Sequence, residues 1–163
     1  MATYNFGNTP TTTTVTNATA VTSGTGDDVI TVSGTVTGAV FDLGGGTDQL
    51  RLTSPSTATV RAVETITGSA SNDTVVLGSQ YTGGLIDLAL GRDTLRLGAY
   101  DNTVTVSNTE TVTGGTGDDV VVVRSATSGA AIDLGAGRDT LTFTSGATAT
   151  VSNVEVLTGS TVG

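Results

Sequence analysis

The 163-residue chain has no cysteine, histidine or tryptophan, and all six residues of its Lys+Arg total are arginine. Without cysteine there are no disulfides and no thiolate metal sites, and without histidine the commonest transition-metal ligand and the usual general base are gone. Any bound metal must accept oxygen ligands, which points to calcium rather than zinc. Six cations against fifteen carboxylates leave a formal net charge of −9. Affinity for nucleic acid comes from cations that neutralise phosphates, so composition excludes a nucleic-acid partner. No run approaches the roughly 20 apolar residues of a membrane helix, so no membrane insertion is expected. The opening "MATYNFGNTPTTTT" has neither the basic start nor the apolar stretch of a secretory signal. An N-terminal signal peptide is therefore not expected, and export would need a system that reads another part of the chain.

What is present is glycine, threonine, valine and alanine, with aromatics at only 4%. That bias favours strands and turns over helices, in a chain long enough for one domain with a real core. Self-similarity organises it. Asp28, Asp73 and Asp119 lie 45 and 46 residues apart, and Asp48, Asp93 and Asp139 repeat that spacing. The units run over residues 23–67, 68–113 and 114–158, inside a single domain spanning 15–163, with 1–14 as an N-terminal extension or cap. Within each unit the second Asp follows the first by 20 residues. Six turn–strand–turn–strand segments result.

After each Asp the second and fourth residues are apolar: Ile30, Leu50, Val75, Leu95, Val121 and Leu141, then Val32, Leu52, Leu77, Leu97, Val123 and Phe143. A further apolar column, Val21, Phe41, Ile66, Ile86, Val112, Ile132 and Leu157, precedes the glycine turns. Period-two alternation marks half-buried strands, and such columns make sense only if successive segments stack. The expected fold is all-β, a parallel β-solenoid resembling a β-roll, with about six coils in three 45-residue repeats and two parallel sheets. Six coils predict a rod roughly 30 Å long. All six Asp residues would then line one edge, about 5 Å apart, where like charges repel.

Two devices could offset that repulsion: a cation between the turns, or side chains folding back on the N–H groups of their own turn. The residues just before each Asp, namely Asp27, Thr47, Asn72, Arg92, Asp118 and Arg138, predict an ion-pair ladder with Asp118 between two arginines. Asp42, Asp87 and Asp133 are expected to stack one coil from Thr22, Thr67, Thr113 and Thr158. Glu64, Glu110 and Glu155 recur as strictly as the rest. An active site breaks a repeat, so these carboxylates read as structural. Neither His nor Lys is present to activate a Ser or Thr nucleophile. No enzyme is expected.

Aligned on Asp, the turns resemble the nonapeptide of haemolysin-type (RTX) calcium-binding repeats, G-G-x-G-x-D-x-U-x. The stretch "GGTGDDVVV" from Gly114 matches every fixed position, and "SGTGDDVIT" from Ser23 misses only the first glycine. The resemblance implies calcium held between turns by Asp28, Asp48, Asp73, Asp93, Asp119 and Asp139, with backbone oxygens at Gly24, Gly26, Gly115 and Gly117. It also implies type I secretion to the cell surface or beyond. Arg92 and Arg138 depart from the pattern, because an arginine beside a cation site opposes the ion. The leading functional expectation is a secreted structural protein that self-associates end to end into a fibre, biofilm matrix or surface layer, stabilised by calcium. A calcium-binding adhesion or secretion module that recognises a cell-surface glycan is the alternative, and ice binding ranks last.

Overall fold

The computed structural model describes residues 2–125 and 128–159, and among them contains strands and turns but no helix. Three strands open the chain: β1 (Ala2–Asn5), β2 (Thr12–Thr16) and β3 (Ala18–Thr22). The first repeat supplies β4 (Val29–Ser33), β5 (Val36–Asp42), β6 (Gln49–Leu52), β7 (Ser56–Arg61) and β8 (Thr65–Thr67). The second supplies β9 (Thr74–Leu77), β10 (Thr82–Asp87), β11 (Thr94–Gly98), β12 (Thr103–Ser107) and β13 (Thr111–Gly115). The third supplies β14 (Val120–Val123), β15 (Ser128–Gly135), β16 (Thr140–Phe143), β17 (Thr148–Ser152) and β18 (Val156–Thr158).

Odd-numbered strands form one nine-stranded sheet and even-numbered strands the other, each in unbroken chain order. Neighbours pair in parallel, as between β3 and β5 and between β4 and β6. The chain is an all-β parallel β-solenoid with two sheets. The segment 1–14 contributes to them directly, since β1 pairs with β3 and β2 with β4.

The coils are more numerous than the six expected. Nine strands per sheet make eight steps, or roughly 40 Å at the usual strand spacing. One reason is an extra strand, half a coil, hidden in the longer half of each repeat, and the other is that β1–β3 precede the first repeat; in the first repeat the extra strand is β8. It follows a turn at residues 62–64, between β7 and β8, with neither glycine nor Asp to mark it.

Each repeat therefore holds five strands, which is two and a half coils. Because five is odd, successive repeats exchange sheets: β4 and β14 lie in the even sheet, while the equivalent β9 lies in the odd one. The apolar columns interleave accordingly. Ile30 and Leu50 stack in register on Ile66 and Ile86, and Val75 and Leu95 stack on Val112 and Ile132. All eight are buried in one continuous core. Two members of the expected columns differ: Phe143 only packs against the core from a half-buried position, and Leu157 is exposed.

Backbone strain marks two repeat positions. Asn17, Asn108 and Asn153 adopt a left-handed conformation with φ of 50–52°, where asparagine is favoured, but the equivalent residue of the first repeat is Ala62 at φ 48°. Asn108 and Asn153 also donate Nδ2–H to Asp87 and Asp133 at 2.8 and 2.6 Å. Ala62→Asn is expected to stabilise the fold by about 1 kcal/mol, from the relaxed backbone and a new bond to Asp42. Urea unfolding followed by circular dichroism checks it. The other position is Ala89 at φ 69°, where the first and third repeats carry Gly44 and Gly135.

Candidate functional site

The Asp turns do not share one edge of the rod. Asp28, Asp48, Asp119 and Asp139 lie where odd strands lead into even ones; Asp73 and Asp93 lie where even strands lead into odd ones, on the opposite edge. The expected single row of six is thus two rows, because each repeat is offset by half a coil. Glu64 and Glu155 sit on the first edge and Glu110 on the second, and each completes a triad with the two Asp residues before it.

Within a triad, every carboxylate holds the backbone of the preceding coil. Thr11 N–H donates to Asp28 Oδ1 at 2.7 Å, Asp28 N–H to Asp48 Oδ1 at 2.7 Å, and Asp48 N–H to Glu64 Oε2 at 2.7 Å. The second triad repeats this from Ser56 through Asp73 and Asp93 to Glu110, at 2.7–2.8 Å. The third runs from Asn102 through Asp119 and Asp139 to Glu155, at 2.7–3.0 Å. The glutamate stands where the turn is short, and its extra methylene spans the distance that an Asp covers from a longer turn.

A second set of bonds runs the other way. Thr47 N–H donates to Asp27 Oδ1 at 2.8 Å, Arg92 N–H to Asn72 Oδ1 at 2.9 Å, and Arg138 N–H to Asp118 Oδ1 at 2.8 Å. At the start of the third triad Asp118 N–H donates to Asp101 Oδ1 at 2.9 Å. Adjacent turns are therefore clamped reciprocally, each giving an N–H to the other's side chain. The expected ion-pair ladder is not what this column forms. Arg92 lies on the opposite edge from Asp118, whose stacked neighbours are Asp101 and Arg138, and Arg138 bonds it through its backbone. The expected Asp–Thr stacking is present in part, as register pairs Thr22–Asp42, Thr67–Asp87 and Thr113–Asp133; on their other side these Asp residues meet Arg61, Ser107 and Ser152, and Thr158 pairs with Thr142 because each repeat changes sheets.

The six Asp side chains are buried, none more than 1% exposed. Asp28 Oδ2 accepts from Ser23 Oγ, and Asp73 Oδ2 from Ser69 N–H at 2.7 Å and Ser69 Oγ at 3.0 Å. These two do bond within their own turns. In Asp48, Asp93, Asp119 and Asp139 the second oxygen has no partner among the described residues. Burial raises Asp48 to about 6, opposed by the Asp28 N–H and reinforced by Glu64, Asp28 and Asp27. Asp93 is likewise pushed to about 6, by burial first and then by Asp73 and Glu110, against the Asp73 N–H. Asp119 and Asp139 are raised for the same primary reason.

All four glycines assigned to the ion site touch the preceding coil. A Cβ on Gly24 would lie 2.1 Å from Asn8 Oδ1, on Gly26 2.5 Å from Pro10 N, on Gly115 1.5 Å from Gly98 O, and on Gly117 2.2 Å from Tyr100 O. Carbonyls facing the next coil are also engaged: Gly45 N–H donates to Gly24 O at 2.7 Å, and Ala136 N–H to Gly115 O at 2.9 Å. Among the described residues no three Asp or Glu side chains converge as a metal-holding group. Calcium needs six to eight oxygens at 2.3–2.6 Å; of the candidate ligands, the Asp Oδ1 atoms and the Gly24 and Gly115 carbonyls accept N–H groups from adjacent coils, and four Asp Oδ2 atoms have no partner among the described residues.

One coil interrupts the first edge. Between Glu64 and Asn102 the corner is filled by buried Tyr81, whose N–H donates to Asn102 Oδ1 at 3.0 Å. Beside it a cavity of about 110 Å³ opens between Glu64 and Gly83. Sequence reasoning missed this break, along with the glutamate's place in each triad. The signal for the latter was present: Glu64, Glu110 and Glu155 follow the second Asp by 16 or 17 residues, close to one coil. No protein-family model matches the chain, and neither a curated protein nor a solved structure does.

Proposed function

We propose that the chain is a structural rod that self-associates end to end into an extracellular fibre, matrix or surface layer. The observation that carries this reading is the last coil. Leu157 pairs in register with Leu141, which is fully buried, yet Leu157 itself is 57% exposed and neighbouring Val156 48%. Among the described residues an apolar column thus ends uncovered, beside outer edges of β17 and β18 that pair on one side only. Open parallel edges are templates for another chain. At the other end β1 and β2 are likewise paired on one side among the described residues, with the rings of Tyr4 and Phe6 stacked at 6.1 Å and packed against the core. In this reading β1 and β2 of a second copy would continue the odd and even sheets beyond β17 and β18.

A repeat that runs through the whole described chain, with every carboxylate triad serving coil stacking, leaves no residue set apart for catalysis in this reading. The resemblance to secreted calcium-binding repeats supports placing the rod outside the cell. The test is light scattering and negative-stain microscopy of the purified chain. Rods that lengthen with concentration are expected, and Leu157→Arg should raise the concentration needed for assembly at least about tenfold, equivalent to about 1.4 kcal/mol, without changing the β-sheet spectrum. Monomers at every concentration would sink the reading.

A further inference from the structure

We propose that the calcium-type turns of this rod hold its coils together without calcium, the ion's bridging role being taken by the reciprocal side chain–backbone clamps. Three independent features lead there. First, one oxygen of every Asp in the candidate set, and two of its four glycine carbonyls, already accept hydrogen bonds from neighbouring coils. In each triad Oδ1 of both Asp residues accepts an N–H from the coil before, and Gly24 O and Gly115 O accept one from the coil after.

Second, the clamp does not need charge. Asn72 stands where the first and third repeats have Asp27 and Asp118, and its amide oxygen accepts the next coil's N–H just as the carboxylates do. Asn102 stands in the inner column and accepts from Tyr81 N–H in the same way. A hydrogen-bond acceptor loses nothing when an amide oxygen replaces a carboxylate oxygen at these positions.

Third, the clamp explains the arginines. Thr47, Arg92 and Arg138 contribute only a backbone N–H, so any side chain except proline's serves, and all three are exposed. Beside a calcium ion, Arg92 and Arg138 would oppose the site. Beside a clamp they are neutral. The unpartnered Oδ2 atoms of Asp48, Asp93, Asp119 and Asp139 do not restore an ion site. They come one per turn, and adjacent Gly24 and Gly115 carbonyls are already bonded.

The inference concerns how the coils are held, whether or not rods assemble. It is tested on the full chain at constant neutral pH, by circular dichroism melts in excess EDTA and in millimolar calcium chloride, with terbium luminescence as a direct probe of binding. The expected result is the same β-sheet spectrum and a melting temperature that agrees within about 2 °C, with no saturable terbium signal. Two variants separate acceptor from charge. Asp118→Asn is expected to melt with the parent, whereas Asp118→Ala, which leaves Arg138 N–H without its acceptor, should melt about 3–6 °C lower. Unfolding in EDTA, a rise of more than about 5 °C with calcium, saturable terbium binding, or equal losses in the Asn and Ala variants would each overturn the proposal.

Discussion

Gly115→Ala is expected to destabilise the rod by more than about 3 kcal/mol, the upper range for overpacking a site that cannot relax. The added methyl carbon would sit 1.5 Å from Gly98 O, a backbone atom of the coil before. Nothing there is a flexible side chain that can swing away. Gly115 also pairs in register with Gly98 and Gly135, so moving it would open both flanking steps of the odd sheet. Gly45→Ala is the matched control. Its Cβ would meet only Thr25, at 4.0 Å, and its cost should stay within about 1 kcal/mol. Urea midpoints of the two variants beside the parent decide the matter. Equal midpoints would mean that these glycines are not held at contact distance between coils.

Acidification is expected to stabilise the rod. Asp48 and Asp93 titrate near 6 in the fold against 3.8 for an unperturbed carboxyl. Between those values the folded chain binds more protons than the unfolded one, so stability falls as pH rises through the window and is level above it. Lowering the pH from about 7.5 to about 5 should therefore raise the melting temperature, by on the order of 5 °C for a chain of this size. Asp119 and Asp139 shift in the same direction and add to the effect. The usual paired carboxylate behaves oppositely, losing stability in acid. The cause of the reversal is one orphaned oxygen in each of four buried side chains, which a proton relieves and water does not reach. Asp48→Asn and Asp93→Asn together should flatten the pH profile, and a parent melting temperature that drops toward pH 5 would contradict the burial of these groups.

Much of the solenoid was legible in the chain because its signals are local. Ile30 and Val32, or Leu95 and Leu97, alternate with polar neighbours, and the strands found there follow from that alternation alone. The Asp spacing of 20 residues is one coil between glycine turns, and Asp48 does follow Asp28 on the same edge. The rest depended on counting coils. The turn at Ala62–Glu64 has no glycine, no Asp and no proline, so the 25-residue half of the first repeat looked like a single coil when it is a coil and a half. That one omission put all six Asp residues on one edge. It also set Asp118 between two arginines, one of which is on the far side of the rod. The direction of the carboxylates was equally hidden. A motif shared with ion-binding turns fixes which residues are acidic, but only the inter-coil distance tells whether their oxygens meet a cation or the neighbouring backbone.

The odd number of strands per repeat makes copy number a matter of parity. Excising one unit, residues 68–113 for instance, removes five strands, and every strand downstream changes its allegiance from one sheet to the other. Asp119 would then move to the edge that Asp73 occupies, keeping its neighbours' chemistry while facing the opposite direction. Such a shortened chain has thirteen described strands rather than eighteen, so its last described strand would lie in the odd sheet instead of the even one. Growth or loss by single units would thus alternate the sheet to which the last described strand belongs. Only changes made two units at a time would leave every downstream strand and turn on its original side.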